Sequence, residues 1–159
     1  MKKTLVMLML LAMSGLKLYA SGDTTLVVSN YSTTYSIDMI VLGLGGGAAT
    51  CGYPANVFNV GPRSTVLDPP TTRTFHDIGD VCASSLGWQY GYDCVHNPPT
   101  VAGSGWTMAV AQLSGYAQSS PVGNYACAGG TTSVSIPGCG STTLNWTIIG
   151  TTVYVDINP

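Results

Sequence analysis

Thr143-Leu144-Asn145-Trp146-Thr147-Ile148-Ile149-Gly150-Thr151-Thr152-Val153-Tyr154-Val155-Asp156-Ile157, near the end of the chain, decides the fold class. Val153, Val155 and Ile157 alternate with Thr152, Tyr154 and Asp156. A period of two gives an extended strand one apolar and one polar face. The turn around Ile149-Gly150-Thr151 joins this strand to residues 143–148, and the segment reads as a closing β-hairpin.

Upstream, Trp106, Met108 and Val110 alternate with Thr107, Ala109 and Ala111, which predicts a strand over 106–113. Residues 25–29 and 35–44, the latter with Ile37, Met39 and Val41 on one face, are expected to pair as a hairpin across Ser32-Thr33-Thr34. Residues 56–60 and 63–67 read as two short strands separated by Gly61-Pro62. Asp68-Pro69-Pro70 stops the second and keeps it out of the middle of a sheet. Residues 76–104, punctuated by Asn97-Pro98-Pro99 and Gly103-Ser104-Gly105, are expected to form long loops at one end.

The first 20 residues read as an export signal. Met1-Lys2-Lys3 is basic, residues 4–13 are apolar and uncharged, and Leu18-Tyr19-Ala20 ends on a small residue suited to cleavage. All three lysines leave with that segment. Two arginines, Arg63 and Arg73, then stand against seven aspartates and no glutamate, which moves the formal charge from −2 to −5. Phosphate contacts need several Lys or Arg, so nucleic-acid binding by a basic patch is excluded. No apolar stretch approaches the roughly 20 residues of a membrane-spanning helix, so no transmembrane span is expected. The expected destination is secreted, extracellular or at the cell surface, with the periplasm as an alternative.

Residues 21–159 keep 19 of the 20 glycines and all nine prolines, with 32 Ser plus Thr. Surface helices rely on Glu, Lys and Arg, whereas Thr, Val, Ile, Tyr and Trp favour strands. The fold class is therefore all-β: residues 21–159 as a single immunoglobulin-like β-sandwich of about seven to nine short strands, supported by disulfides.

Five cysteines remain: Cys51, Cys82, Cys94, Cys127 and Cys139. Export makes disulfides the default. Equal spacings of 12 favour Cys82–Cys94 and Cys127–Cys139, leaving Cys51 in the glycine-rich loop as a free or intermolecular thiol, or a buried free Cys packing as a small hydrophobe. Gly45-Gly46-Gly47 lacks a following Lys-Ser/Thr and is not a phosphate cradle.

Candidate chemistry concentrates around Cys82 and Cys94. Asp77, Asp80 and Asp93 are a candidate calcium set, since calcium takes oxygen ligands from irregular loops. Zinc on His76, Cys82, Cys94 and His96 is disfavoured by unrecognised spacing and by oxidation of the cysteines. The main expectation is no cofactor, with these side chains solvated. Ser84 or Ser85 with His76 or His96 would be needed for hydrolysis, but no Gly-x-Ser-x-Gly elbow is present. Trp88, Tyr90 and Tyr92 recur at every second residue, and an extended segment would project all three rings from one face, where they could stack on sugars. Covering the core beneath the loop is the favoured reading. Asn30-Tyr31-Ser32 and Asn145-Trp146-Thr147 match the glycosylation acceptor pattern.

A Val-rich first strand (residues 25–29), the proline-bounded Val60-Gly61-Pro62-Arg63-Ser64-Thr65 and the closing Cys139-Gly140…Asn145-Trp146-Thr147 hairpin give a layout that resembles small secreted β-rich proteins of Bacteroidota. That resemblance carries no established activity and no functional residue. Near absence of charge points to a non-catalytic exported module acting by surface contact on a cell-surface, glycan or protein partner. The alternatives are a structural subunit that self-associates through Cys51 or by strand addition, and a secreted hydrolase.

Overall fold

A computed structural model describes residues 25–45 and 51–159, so the expected export signal and part of the glycine-rich loop lie outside the described residues. The described residues are β-rich, with two sheets and two short helical turns. The strands are β1 (Thr25–Asn30), β2 (Ile37–Leu44), β3 (Tyr53–Pro54), β4 (Phe58–Val60), β5 (Thr71–Phe75), β6 (Gly105–Gln112), β7 (Val122–Gly123), β8 (Ser133–Ser135), β9 (Thr143–Ile149) and β10 (Thr152–Asn158). The turns are α1 (Asp80–Ala83) and α2 (Tyr125–Ala128). Sheet A has the order β5-β1-β10-β9-β8. Sheet B runs β3-β2-β6-β7, with β4 also paired to β2.

The closing hairpin forms as the alternation dictates: β9 and β10 pair antiparallel, Val155 against Trp146, and Val153, Val155 and Ile157 are buried. β10 then pairs in parallel with β1, Val28 against Val155. Buried side chains of both sheets, among them Leu26, Val28, Leu144 and Val155 from A and Ile37, Met39, Val41 and Ala109 from B, join in one hydrophobic cluster.

The expected β1–β2 hairpin does not form, because β1 and β2 belong to different sheets. Asn30 is fully buried and its Nδ2 donates to the carbonyls of Tyr35 and Val60, at 2.8 and 2.9 Å, while Ser32 Oγ accepts from the amides of Thr34 and Tyr35. These side-chain bonds turn the chain across the core instead of back on itself. Residues 63–67 form a hydrogen-bonded turn rather than a strand. The edge strand instead lies just beyond Pro69-Pro70, as β5 against β1.

We call the end where β1, β6 and β10 begin the lower end, and the opposite one the upper end. Residues 76–104 lie between the end of β5 and the start of β6, at the lower end. Phe75 and Trp106, at that junction, have ring centroids 5.6 Å apart.

Candidate functional site

The disulfides differ from the expected set. Cys82 and Cys94 are joined, with Cα atoms 5.4 Å apart, and the second bridge is Cys51–Cys127, with Cα atoms 5.3 Å apart. Cys51 is thus not the odd thiol, and Cys127–Cys139 does not form. Cys139 is the free cysteine, buried in the core, and burial pushes its thiol pKa up. The reason is topological. β8 carries the chain upward from α2, so Cys139, on the connector to β9, lies at the upper end, while Cys127 lies at the lower end beside Cys51. Thr107 Oγ1 on β6 fixes the lower corner by donating to the Cys51 carbonyl at 2.6 Å.

Trp88, Tyr90 and Tyr92 do not form a single exposed row. Trp88 is buried and lies 6.5 Å from Trp106 in a stacked pair, Tyr92 is half-buried edge-on to Trp88 and Tyr53, and only Tyr90, at 69 % exposure, faces water. Tyr92 Oη accepts from the Gly45 amide at 2.7 Å, and burial raises its pKa. Gly43 makes room for Trp88: a Cβ there would meet Trp88 Cη2 at 2.6 Å and Ile78 Cγ2 at 2.9 Å.

The three aspartates serve their own turns. Asp77 Oδ1 accepts from the Gly79 amide at 2.6 Å. Asp80 Oδ2 accepts from the His76 amide at 2.6 Å and sits 3.0 Å from His76 Nδ1. Asp93 Oδ1 accepts from the Val95 amide and Oδ2 lies 2.9 Å from His96 Nδ1. The Val95 amide, then His96, hold the Asp93 carboxyl below the usual carboxylate range. Among the described residues, no group of three His, Cys, Asp or Glu is placed to hold a metal ion. Ser84 Oγ donates to the Val81 carbonyl, and both histidines use Nδ1 on aspartates rather than on a serine.

The feature that sequence reading missed is the outer face of sheet B. Ile37, Met39, Val41, Ala109 and Ala111 point into the core, so the alternate residues of β2 and β6 point outward. Register places Ile40 beside Val110 and Leu42 beside Met108, with Pro54 next to Leu42. Above these apolar rows lies a polar one, Asn59–Asp38–Gln112, in which Asn59 Nδ2 donates to Asp38 Oδ1 at 2.9 Å. Where the rows meet is a shallow dimple lined by Ile40, Val57 and Val110 and, on its polar side, by Asp38, Gln112 and Gln118. It is far smaller than the roughly 300–1,000 Å³ of small-molecule sites, with room for little more than a water. Val57 beside it is 50 % exposed. The signal was present: Ile37-Asp38-Met39-Ile40-Val41-Leu42 is apolar on both faces after its single Asp.

A second exposed feature stands at the upper end. Val66 and Leu67, 68 % and 93 % exposed, cap the turn between β4 and β5. The turn is closed by Thr65 and Leu67 amides donating to Asp68 Oδ2 and Thr65 Oγ1, and by Arg63 Nη1 donating to the Asp68 carbonyl. Arg63 also lies 5.9 Å above the Tyr31 ring.

No family model, curated protein or solved structure matches the chain.

Proposed function

We propose that the protein is an exported, non-catalytic module, an immunoglobulin-like sandwich built from the two sheets, that acts by surface contact through the outer face of sheet B. The observation that carries this reading is the pair of apolar rows Ile40–Val110 and Leu42–Met108 next to exposed Val57. An aliphatic sheet face on a chain this poor in charge is an interaction surface by its composition. The basic, apolar and small-residue succession of residues 1–20 and the two disulfides support export to an oxidising compartment. Among the described residues no helix is long and apolar enough to cross a membrane.

The test compares wild-type residues 21–159 with Val110→Asp for binding to immobilised glycans and extracellular proteins, with thermal melting as the folding control. The expected result is retention of wild type on at least one surface and a binding loss of about tenfold or more in the variant, as for truncation of an interface anchor. Equal binding by the two proteins, or none by either, would end this reading.

A second reading, a subunit that associates with copies of itself, is favoured by the exposed, hydrogen-bonded apolar turn at Val66 and Leu67.

A further inference from the structure

We infer that β8, an edge strand of sheet A, pairs with β8 of a second copy of this chain across a two-fold axis through Val134. The surface lies apart from the outer face of sheet B, and it gives the self-association reading a strand edge in place of the Val66–Leu67 turn.

The two edges of sheet A are β5 and β8, and they are not alike. β5 follows Pro69-Pro70, and its Arg73, opposite the core residue Val28, points inward over the Phe58 and Phe75 rings at 5.1 and 5.4 Å. Prolines and an inward charge are the usual guards of an edge against strand addition. β8 carries neither: residues 131–136 contain no proline, and residues 94–155 contain no Asp, Glu, Lys or Arg. Its one guard is its length of three residues, which keeps the contact in the weak class.

The edge also has backbone groups to offer. The Trp146 amide donates to the Thr132 carbonyl at 2.8 Å and the Ile136 amide to the Thr142 carbonyl at 3.0 Å, so Thr132, Val134 and Ile136 turn their backbone groups toward β9. Ser133 and Ser135, between them, turn theirs away. Both serines are exposed, and no backbone hydrogen bond engages those outward groups among the described residues. Ser133-Val134-Ser135 reads the same in both directions, which suits it to antiparallel pairing with itself. The axis sets each Ser133 opposite the second copy's Ser135, and each such pair exchanges two N–H to C=O bonds. Val134, half-buried on the core side beside Leu144, meets the second copy's Val134 at the close spacing of a non-hydrogen-bonded pair. The ladder stops by itself at both flanks: the Thr131 carbonyl already accepts from the Gly123 amide at 2.9 Å, and Pro137 has no N–H.

The experiment is the mass in solution of residues 21–159, by light scattering over a range of concentrations, for wild type, Ser133→Lys/Ser135→Lys and Ser133→Asp/Ser135→Asp. Unchanged melting temperatures confirm that the variants fold. The expected result is a weak, concentration-dependent dimer for wild type and at least about a tenfold weaker association for each variant alone, because like charges then face each other across the axis. An equimolar mixture of the two variants should recover a heterodimer that weakens with salt. Val134→Cys fixes the register: alone and under mild oxidation it should form a reductant-sensitive dimer, since residues so paired lie within disulfide reach. A wild type that stays monomeric up to about millimolar concentration, or a dimer that the lysine pair leaves unchanged, would overturn the inference. So would a dimer lost in Val110→Asp and kept in the lysine pair, which would place self-association on sheet B. The sheet B reading is judged separately, by glycan or protein binding that the lysine pair should leave intact.

Discussion

The two sheets reach stability by different routes. Sheet A has three long strands, β1, β10 and β9, in continuous register, and largely polar rows cross its outer face, Thr74–Val27–Tyr154–Thr147 and Thr72–Ser29–Asp156–Asn145–Ser133, with exposed Ile149 at its lower end. Sheet B has two long strands, β2 and β6, flanked by pieces of two or three residues, and its outer face carries two half-buried aliphatic rows below one polar row. The segments flanking its edges are tied by Cys51–Cys127, since Cys51 precedes β3 and Cys127 follows β7. Hydrogen-bonded length holds sheet A together, and a covalent strap substitutes for that length in sheet B. The face left aliphatic is on the strapped sheet, where contact with a partner would add order that the short edges lack.

The strongest way to break this contrast is to cut the strap. Cys51 and Cys127 are 76 residues apart in sequence, Cys82 and Cys94 only 12. By loop-closure entropy the long bridge contributes about 4.5 kcal/mol and the short one about 3 kcal/mol, a difference of roughly 1.5 kcal/mol. The double substitution Cys51→Ala/Cys127→Ala is thus expected to destabilise the chain more than Cys82→Ala/Cys94→Ala, as measured by denaturant unfolding. Hydrogen exchange should show lost protection in β3 and β7 while the β1–β10–β9 ladder keeps its own. Uniform loss across both sheets would mean that they open as one unit and that the contrast is only one of appearance.

The same contrast explains what was legible in the sequence. The β9–β10 hairpin is a local pairing with a clean period of two, and Val153, Val155 and Ile157 identify the core face unaided. The parallel β1–β10 pair joins opposite ends of the chain, and no local pattern encodes it. Ser32 reads as a turn residue, but what Asn30 and Ser32 do, sending β2 to the other sheet, depends on carbonyls of Tyr35 and Val60 that only the fold supplies. Cysteine spacing picked out the local Cys82–Cys94 bridge but failed for Cys127–Cys139, because equal intervals of 12 gave no information on which end of the molecule Cys139 occupies. For the candidate surface, Ile40 and Leu42 were readable as apolar, but only the pairing with Val110 and Met108 turns them into rows.

A smaller perturbation probes how sheet B is filled. Its lower end uses Trp88, from the long loop, as a core residue, and Gly43 on β2 leaves the gap that the indole enters. Gly43→Ala puts a methyl group within 3 Å of both Trp88 and Ile78, and overpacking of that kind costs about 1–3 kcal/mol. The expected result is a lower melting temperature together with altered tryptophan fluorescence, since Trp88 must move. A loss of stability with unchanged fluorescence would show that β2 yields instead, and that the loop is the stiffer partner.

The smallest effect separates the sheet A face from the loops by the sign of a pH dependence. Asp156, between Ser29 and Asn145 on the outer face of sheet A, is half-buried, and desolvation raises its pKa. Asp93, in the lower loop, is held below the usual range by the Val95 amide and His96. A carboxyl that keeps its proton more tightly when folded opposes folding once ionised, so Asp156 carries no penalty below the ordinary carboxylate range and a growing one as pH rises through its folded value. Asp93 behaves oppositely: its contribution is present above the unfolded value and fades as pH falls through the depressed folded one. Asp156→Asn should therefore melt slightly higher than wild type at neutral pH, with the gap closing in acid. Asp93→Asn should melt slightly lower at neutral pH and converge with wild type in strong acid. Both carboxyls are open enough to water that each shift is small. The opposite signs, measured on one pair of melting series, carry the distinction: a sheet face that tolerates a half-buried charge, and a loop whose charge closes its own turn.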